Sequence, residues 1–271
     1  MRWTPYAIAI PLGLFLLAAN IEPVAAQQPS DSARRPTVSR PIHEERDAMT
    51  NTVFSATVDD HNTARITVKV GDFTLEKAVA SSGDTTIRLT QGADVVSVAM
   101  SHGGYLVERK QKSARFNPQS GRQEDMDAIR AVLLGSSAVR TFRQLTASFE
   151  ARENNDGEGP LFLSTLVDGA IVQMLDGDSG AAERVGKRIT RKRRAGLQPA
   201  RMRPGEIFTD CMLNYELSLM EAWDLLYECT ATTFTLNWFF WWGAETFCEF
   251  EFFLRSQQYI YQFFSCFAYP F

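Results

Sequence analysis

CMLNYELSLMEAWDLLYEC (211–229) and CEFEFFLRSQQYIYQFFSC (248–266) hold all four cysteines of the 271-residue chain, and each segment begins and ends with one. Eighteen residues at about 3.6 per turn make five whole turns, so in a helix both cysteines of a segment project from one face, about 27 Å apart. At 100° per residue from Cys211, the residues Tyr215, Ser218, Leu219, Ala222, Leu225, Leu226 and Cys229 gather within about 80° of one direction. Glu216, Glu221, Asp224 and Glu228 fall opposite, and Thr209 or Asp210 stands where a helix cap belongs. In the second segment Phe252, Arg255, Tyr259 and Phe263 share the face of Cys248 and Cys266, and apolar residues run nearly all the way round.

Four cysteines allow three pairings. Bridges within a segment are excluded if both are helical, because about 27 Å far exceeds the roughly 4.4–6.8 Å between the α-carbons of a disulfide. An antiparallel hairpin joins Cys211 to Cys266 and Cys229 to Cys248, and the partner numbers have the same sum at both ends, so one register serves both bridges. That register sets Ala222 opposite Arg255 and Ser218 opposite Tyr259, small against large. A parallel pairing needs the connector 230–247 to travel the full length of the module, and free thiols at a coincidental spacing are the remaining alternative. Structural zinc sites use close pairs such as C-x2-C, so the spacing argues against a metal.

Of the chain's 31 aromatic residues, 21 lie in 205–271, and five of them form the run Trp238-Phe239-Phe240-Trp241-Trp242 in the connector. Leaving half of that run in water forgoes on the order of 10 kcal/mol of burial, more than a two-helix hairpin can recover alone. The covering surface is expected to be the protein's own upstream fold; a protein partner or self-association through Trp238–Trp242 is the alternative. A membrane surface is the lesser one, because 205–271 carries nine acids against the single base Arg255, and anionic lipids repel acidic proteins.

Upstream the period changes. From Thr52 to Phe116, Ile66, Val68 and Val70, Phe73 and Leu75, Ile87 and Leu89, Val96, Val98 and Met100, and Tyr105 and Val107 alternate with polar residues. Gly71-Asp72, Ser82-Gly83-Asp84, Gly92-Ala93-Asp94 and His102-Gly103-Gly104 supply the turns between them. This predicts an antiparallel meander of five or six strands with one apolar face that needs a cover. Helical spacing then takes over: Ile129, Val132 and Leu133; Val139, Phe142, Leu145 and Phe149 behind a Ser136 or Ser137 cap; and Leu161, Leu166, Ile171, Val172 and Leu175 behind Pro160. The expected class is α+β, with an antiparallel β-meander at 51–118, a helical region packing on it at 119–196, and a disulfide-braced helical hairpin at 197–271.

At the other end, Arg2, an apolar run from Ala7 to Ala19 and Val24-Ala25-Ala26 read as a secretory signal over 1–26, cleaved near Ala26. Export to the periplasm or outside the cell places the cysteines where thiols oxidise. Residues 27–50, rich in Pro, Ser, Gln and charge, read as a disordered leader. Nine bases lie between Arg184 and Arg203, so pairing with the acidic module is the expected use of both stretches. Within them Arg191-Lys192-Arg193-Arg194 has the alternative reading of a dibasic processing site, whose cleavage would release Ala195 to Phe271 with both bridges. Export and the lack of interleaved aromatics argue against nucleic acid.

No catalytic constellation emerges. Gly177-Asp178-Ser179-Gly180 matches the nucleophile tetrapeptide of chymotrypsin-like proteases, but a triad needs an oriented base, and His43, His61 and His102 lie in the leader and in turns. Asp176, Asp178 and Glu183 miss the spacing of a calcium loop, and His102-Gly103-Gly104 lacks a nucleophile elbow to go with it. The expectation is a non-enzymatic structural or interaction protein without cofactor. The alternatives are a precursor that releases a membrane-active or antagonistic C-terminal disulfide peptide, and an enzyme whose pocket joins converging polar groups to a shifted titratable residue.

Overall fold

The computed structural model describes residues 40–151, 159–178, 180–194, 207–233 and 238–268, with side chains except at 40, 190–194, 207–209, 233, 238–242, 267 and 268. The segment 1–26 read as a signal lies outside them. Eight strands run β1 (Arg40–Asp47), β2 (Thr52–Val58), β3 (Ala64–Val70), β4 (Phe73–Val79), β5 (Thr85–Gln91), β6 (Asp94–Ser101), β7 (Gly104–Arg109) and β8 (Lys112–Phe116). Each pairs antiparallel with the next in chain order, giving one eight-stranded meander. Six helices follow: α1 (Gln123–Leu133), α2 (Ser137–Glu150), α3 (Pro160–Leu175), α4 (Ala181–Arg194), α5 (Ile207–Thr233) and α6 (Trp238–Ala268).

The alternation in sequence becomes rows across the sheet. Phe54 faces Val68, Val68 faces Leu75, Leu75 faces Leu89 and Leu89 faces Val96, all buried. Their neighbours along the strands point the other way, where Arg65, Lys69, Glu76 and Arg88 meet water, as period two requires. Gly104 opens β7 at φ +110°, and a β-carbon there would stand 2.1 Å from the Phe116 carbonyl oxygen, so only glycine closes that corner.

Two strands exceed the expected five or six in 52–116 and the leader at 27–50. Strand β8 carries a single buried apolar residue, Phe116, so its alternation is faint. Strand β1 lies inside the supposed leader, which is thereby corrected from residue 40 on, 27–39 lying outside the described residues: Arg40–Asp47 pairs with β2, with a bulge between Pro41 and His43. Composition measures what a segment can bury, whereas an edge strand is held by backbone hydrogen bonds. A charged side chain gives β1 a second hold. The Glu45 carboxylate accepts hydrogen bonds from the Leu161 and Phe162 N–H groups at 3.2 Å each, filling the N-terminus of α3 where Pro160 has no N–H to offer.

Helix α3 is the centre of the molecule. All 16 of its residues are buried, and it packs against α2, α4, α6 and β2. The sequence showed one apolar stripe there; the helix is covered on every side because sheet and helices enclose it. Helices α1 and α2 are tied to the sheet by polar pins. Arg109 on β7 donates to the Leu134 and Gly135 carbonyls that end α1, and to Asp94 at 2.7 Å. Asp94 in turn accepts from Ser136 and Ser137 and from the Ala138 N–H at the start of α2. Burial opposes its charge, but those donors hold the Asp94 carboxyl well below the usual carboxylate range.

Disulfides join Cys211 to Cys266 and Cys229 to Cys248, with α-carbons 6.0 and 5.8 Å apart, so α5 and α6 form an antiparallel hairpin braced at both ends. Tyr215 meets Phe263 at 5.5 Å and Trp223 meets Phe252 at 6.3 Å between ring centroids, in the register the bridges impose. The hairpin is no separate body: α6 packs on β1–β4, Phe250 meets Tyr105 of β7 edge-on at 5.0 Å, and residues 37–271 cluster as one compact unit. The architecture is α+β, an antiparallel meander covered by helices and completed by a disulfide-braced helical pair. Both bridges imply an oxidising compartment, and among the described residues no helix is long and apolar enough to cross a membrane.

Candidate functional site

Among the described residues two places group ionisable side chains in a way that bears on chemistry. The first is in the core. Lys77 stands in the row Ala56, Ile66, Lys77, Ile87, Val98, Val107, flanked by apolar partners on both sides. Its ammonium donates to the Ser164 hydroxyl at 2.7 Å and to Asp168 Oδ1 at 2.8 Å, both on α3. Burial pulls the Lys77 amine down and pushes the Asp168 carboxyl up, each opposed by the charge of the other. A lysine on a serine hydroxyl is the geometry of a nucleophile pair. Here Lys77, Ser164 and Asp168 are 2%, 1% and 1% exposed, and the amine is committed to a carboxylate, so no substrate reaches it. The arrangement is a core ion pair. Its sequence signal is the charge at an inward position of β4, between Leu75 and Val79.

The second place is a cleft of about 270 Å³ where α4, α5 and α6 meet. Helix α4 supplies Ala182, Glu183 and Lys187, α5 supplies Trp223, Leu226, Tyr227 and Thr230, and α6 supplies Glu245 and Glu249 one turn apart. The α6 pair is set by sequence, because residues four apart share a helix face. Lys187 is taken by Glu183, its neighbour one turn back on α4. Glu249 is 5% exposed and has no hydrogen-bond or ion-pair partner among the described residues. Burial first, then the charges of Glu245 and Asp178, push its carboxyl up to about 8; burial and Glu183 likewise raise Glu245. Tyr105, buried and with its hydroxyl unpaired, is raised by burial and by the Glu249 charge.

A carboxyl whose folded value lies above its ordinary 4.5 stabilises the native state while protonated, and that contribution is lost as pH climbs from 4.5 to 8. At about 1.4 kcal/mol per unit, discounted for relaxation, the ionised side chain costs on the order of 4 kcal/mol above pH 8. Glu249→Gln is therefore expected to exceed the native chain in urea-unfolding free energy at pH 8.5 by about that much, and to match it at pH 4. Equal stabilities at pH 8.5 would show the carboxyl to be solvated.

The residues singled out in sequence fall elsewhere. Trp238–Trp242 were placed in a connector spanning 230–247; instead α5 continues to Thr233 and Trp238 opens α6, so the run is helical backbone, with side chains outside those described. Arg191–Arg194 form the last turn of α4, and their side chains too lie outside. The described bases of the stretch meet partners on and beside α2, α3 and α4, while the pairing expected of Arg191–Arg203 with the acidic module lies outside the described side chains. Arg184 reaches Asp178 at 2.6 Å and Glu150 at 3.4 Å, and Arg188 donates to the Glu150 carbonyl at 3.0 Å and lies over the Phe162 ring. Gly177, at φ +105°, ends α3, so the protease-like tetrapeptide begins as a helix stop. His43 meets Glu45 at 2.9 Å on β1, whereas His61 and His102 sit in turns. Among the described residues no group of three or more His, Cys, Asp or Glu is placed to hold a metal ion.

Comparison with protein-family models, curated proteins and solved structures returns no match, so the chemistry of the site carries its interpretation.

Proposed function

We propose that the protein is exported behind the 1–26 signal and acts as an intact, non-enzymatic interaction protein whose rigid element is the disulfide-locked α5/α6 pair. The observation that carries this reading is the double bracing of two helices that also wall a preformed cleft, since a surface fixed in advance loses little entropy when it binds. Burial of Phe250, Phe252, Phe253 and Phe264 within the common core supports an intact chain over a peptide released after Arg194, because cleavage and departure would bare apolar surface on both pieces. Trp238–Trp242, at the start of α6, remain the proposed contact surface for a protein partner or a second copy.

The enzyme reading has one observation in its favour, Glu249, a carboxyl poised near neutral pH in a cleft. Beside it the cleft holds further carboxylates but no thiol or imidazole among the described residues: all four cysteines are oxidised, and the three histidines lie on β1 and in turns. The test is non-reducing intact-mass analysis of the exported protein carrying a photo-cross-linking residue at Trp241. A chain beginning near Gln27 that gives a discrete cross-linked complex supports the proposal. A fragment starting at Ala195, or an intact chain that never cross-links, overturns it.

A further inference from the structure

Glu245 and Glu249 have no ion-pair partner among the described residues. Lys187, which lines the cleft, is paired with Glu183, and Arg184 is engaged with Asp178, Glu150 and Gln173. Glu249 nonetheless points a buried, unpartnered carboxyl into a hollow whose remaining walls are largely apolar and aromatic. An isolated buried carboxylate is costly unless a cation meets it. A metal ion is the poorer occupant, since no triad of ligating groups is assembled there among the described residues and Trp223, Leu226 and Tyr227 offer no oxygen cage. Aromatic faces beside carboxylates suit an organic ammonium, which takes charge pairing from the acids and cation–π contact from the rings. The volume of about 270 Å³ lies just under the roughly 300–1,000 Å³ of ordinary ligand pockets and fits a small molecule rather than a peptide.

From this geometry we propose that the cleft between α4, α5 and α6 binds a small organic ammonium ion, its charge held by Glu249 and Glu245 and its apolar body by Trp223, Leu226 and Tyr227. The inference rests on the interaction-protein reading and names the ligand class of its helical module. Binding is linked to a proton. The ligand meets an ionised Glu249, so below about pH 8 the carboxyl must release a proton as the cation enters, and affinity rises with pH. The groups that set this balance are Glu245 on the same helix, Glu183 and Lys187 on α4, Tyr227 on α5, Asp178 with its partner Arg184 beside α3, and Tyr105 beneath on β7.

The experiment is isothermal titration of the oxidised full-length protein with phenethylammonium chloride, beside 2-phenylethanol as the uncharged analogue and calcium chloride as the metal control. Titrations at pH 6 and 8.5 use buffers of different ionisation enthalpy. The expected result is affinity about tenfold or more tighter at pH 8.5, and release of close to one proton per ligand at pH 6. Glu249→Gln is expected to abolish both the slope and most of the affinity. Glu245→Gln is expected to move the midpoint of the pH dependence downward, because it removes a charge that holds Glu249 up. Equal binding of 2-phenylethanol, saturable binding of calcium at the same residues, or full affinity in Glu249→Gln overturns the assignment. These failures leave the cross-linking result at Trp241 untouched, so they are separable from failure of the broader reading.

Discussion

Reduction of both disulfides is expected to lower the thermal midpoint of the full-length chain by on the order of 20 °C. Closing the 19-residue span between Cys229 and Cys248 restricts the unfolded chain by about 3 kcal/mol, and the 55-residue span between Cys211 and Cys266 by about 4 kcal/mol. For a domain of this size each kcal/mol moves the midpoint by about 2–4 °C. Together the bridges rival the roughly 5–15 kcal/mol by which folded domains exceed their unfolded states, so the reduced chain sits near the limit of folding. The consequence reaches beyond the hairpin, because α6 packs on β1–β4 and its phenylalanines belong to the common core. Calorimetry of oxidised and reduced protein, together with the pairs Cys211→Ala/Cys266→Ala and Cys229→Ala/Cys248→Ala, measures each bridge. A midpoint that hardly moves on reduction would mean that packing alone fixes α5 against α6.

Asp168→Ala is expected to destabilise the fold by about 3–5 kcal/mol, because it strands the Lys77 ammonium in an apolar row. The ion pair itself need not be stabilising. Two charges taken out of water lose much hydration, and their attraction, the Ser164 hydroxyl and the neighbouring Gln257 amide offset that loss. Lys77→Met/Asp168→Leu is accordingly expected to recover most of the stability that Asp168→Ala loses. Urea unfolding of Lys77→Met, Asp168→Leu and the double variant gives the coupling directly. Additive losses in the double variant would contradict this account of the pair.

Much of the architecture was legible residue by residue. Phe73, Leu75 and Val79 alternate because a half-buried strand must, and Pro160 announces a helix start because its missing N–H is no loss there. Strand β1 was not legible, since His43-Glu44-Glu45-Arg46 bury little, and its hold is backbone pairing and the cap it gives α3. The cleft was less legible still. In sequence Glu245 and Glu249 are two of the nine acids of 205–271, and only the arrival of α4 and α5 encloses them in an apolar hollow.

The chain by itself determined whatever depends on the distance between near neighbours: the two-residue period of the meander, and the whole number of helical turns between cysteines that leaves the antiparallel bridges one shared register. Tertiary structure decided the rest. The enclosure of α3 on every side, the meeting of Lys77 with Asp168 91 residues away, and the isolation of Glu249 depend on which faces come together. Periodicity tells a residue which way to point along its own element, but burial, charge state and partner are properties of the space between elements, and that space exists only once the chain has folded.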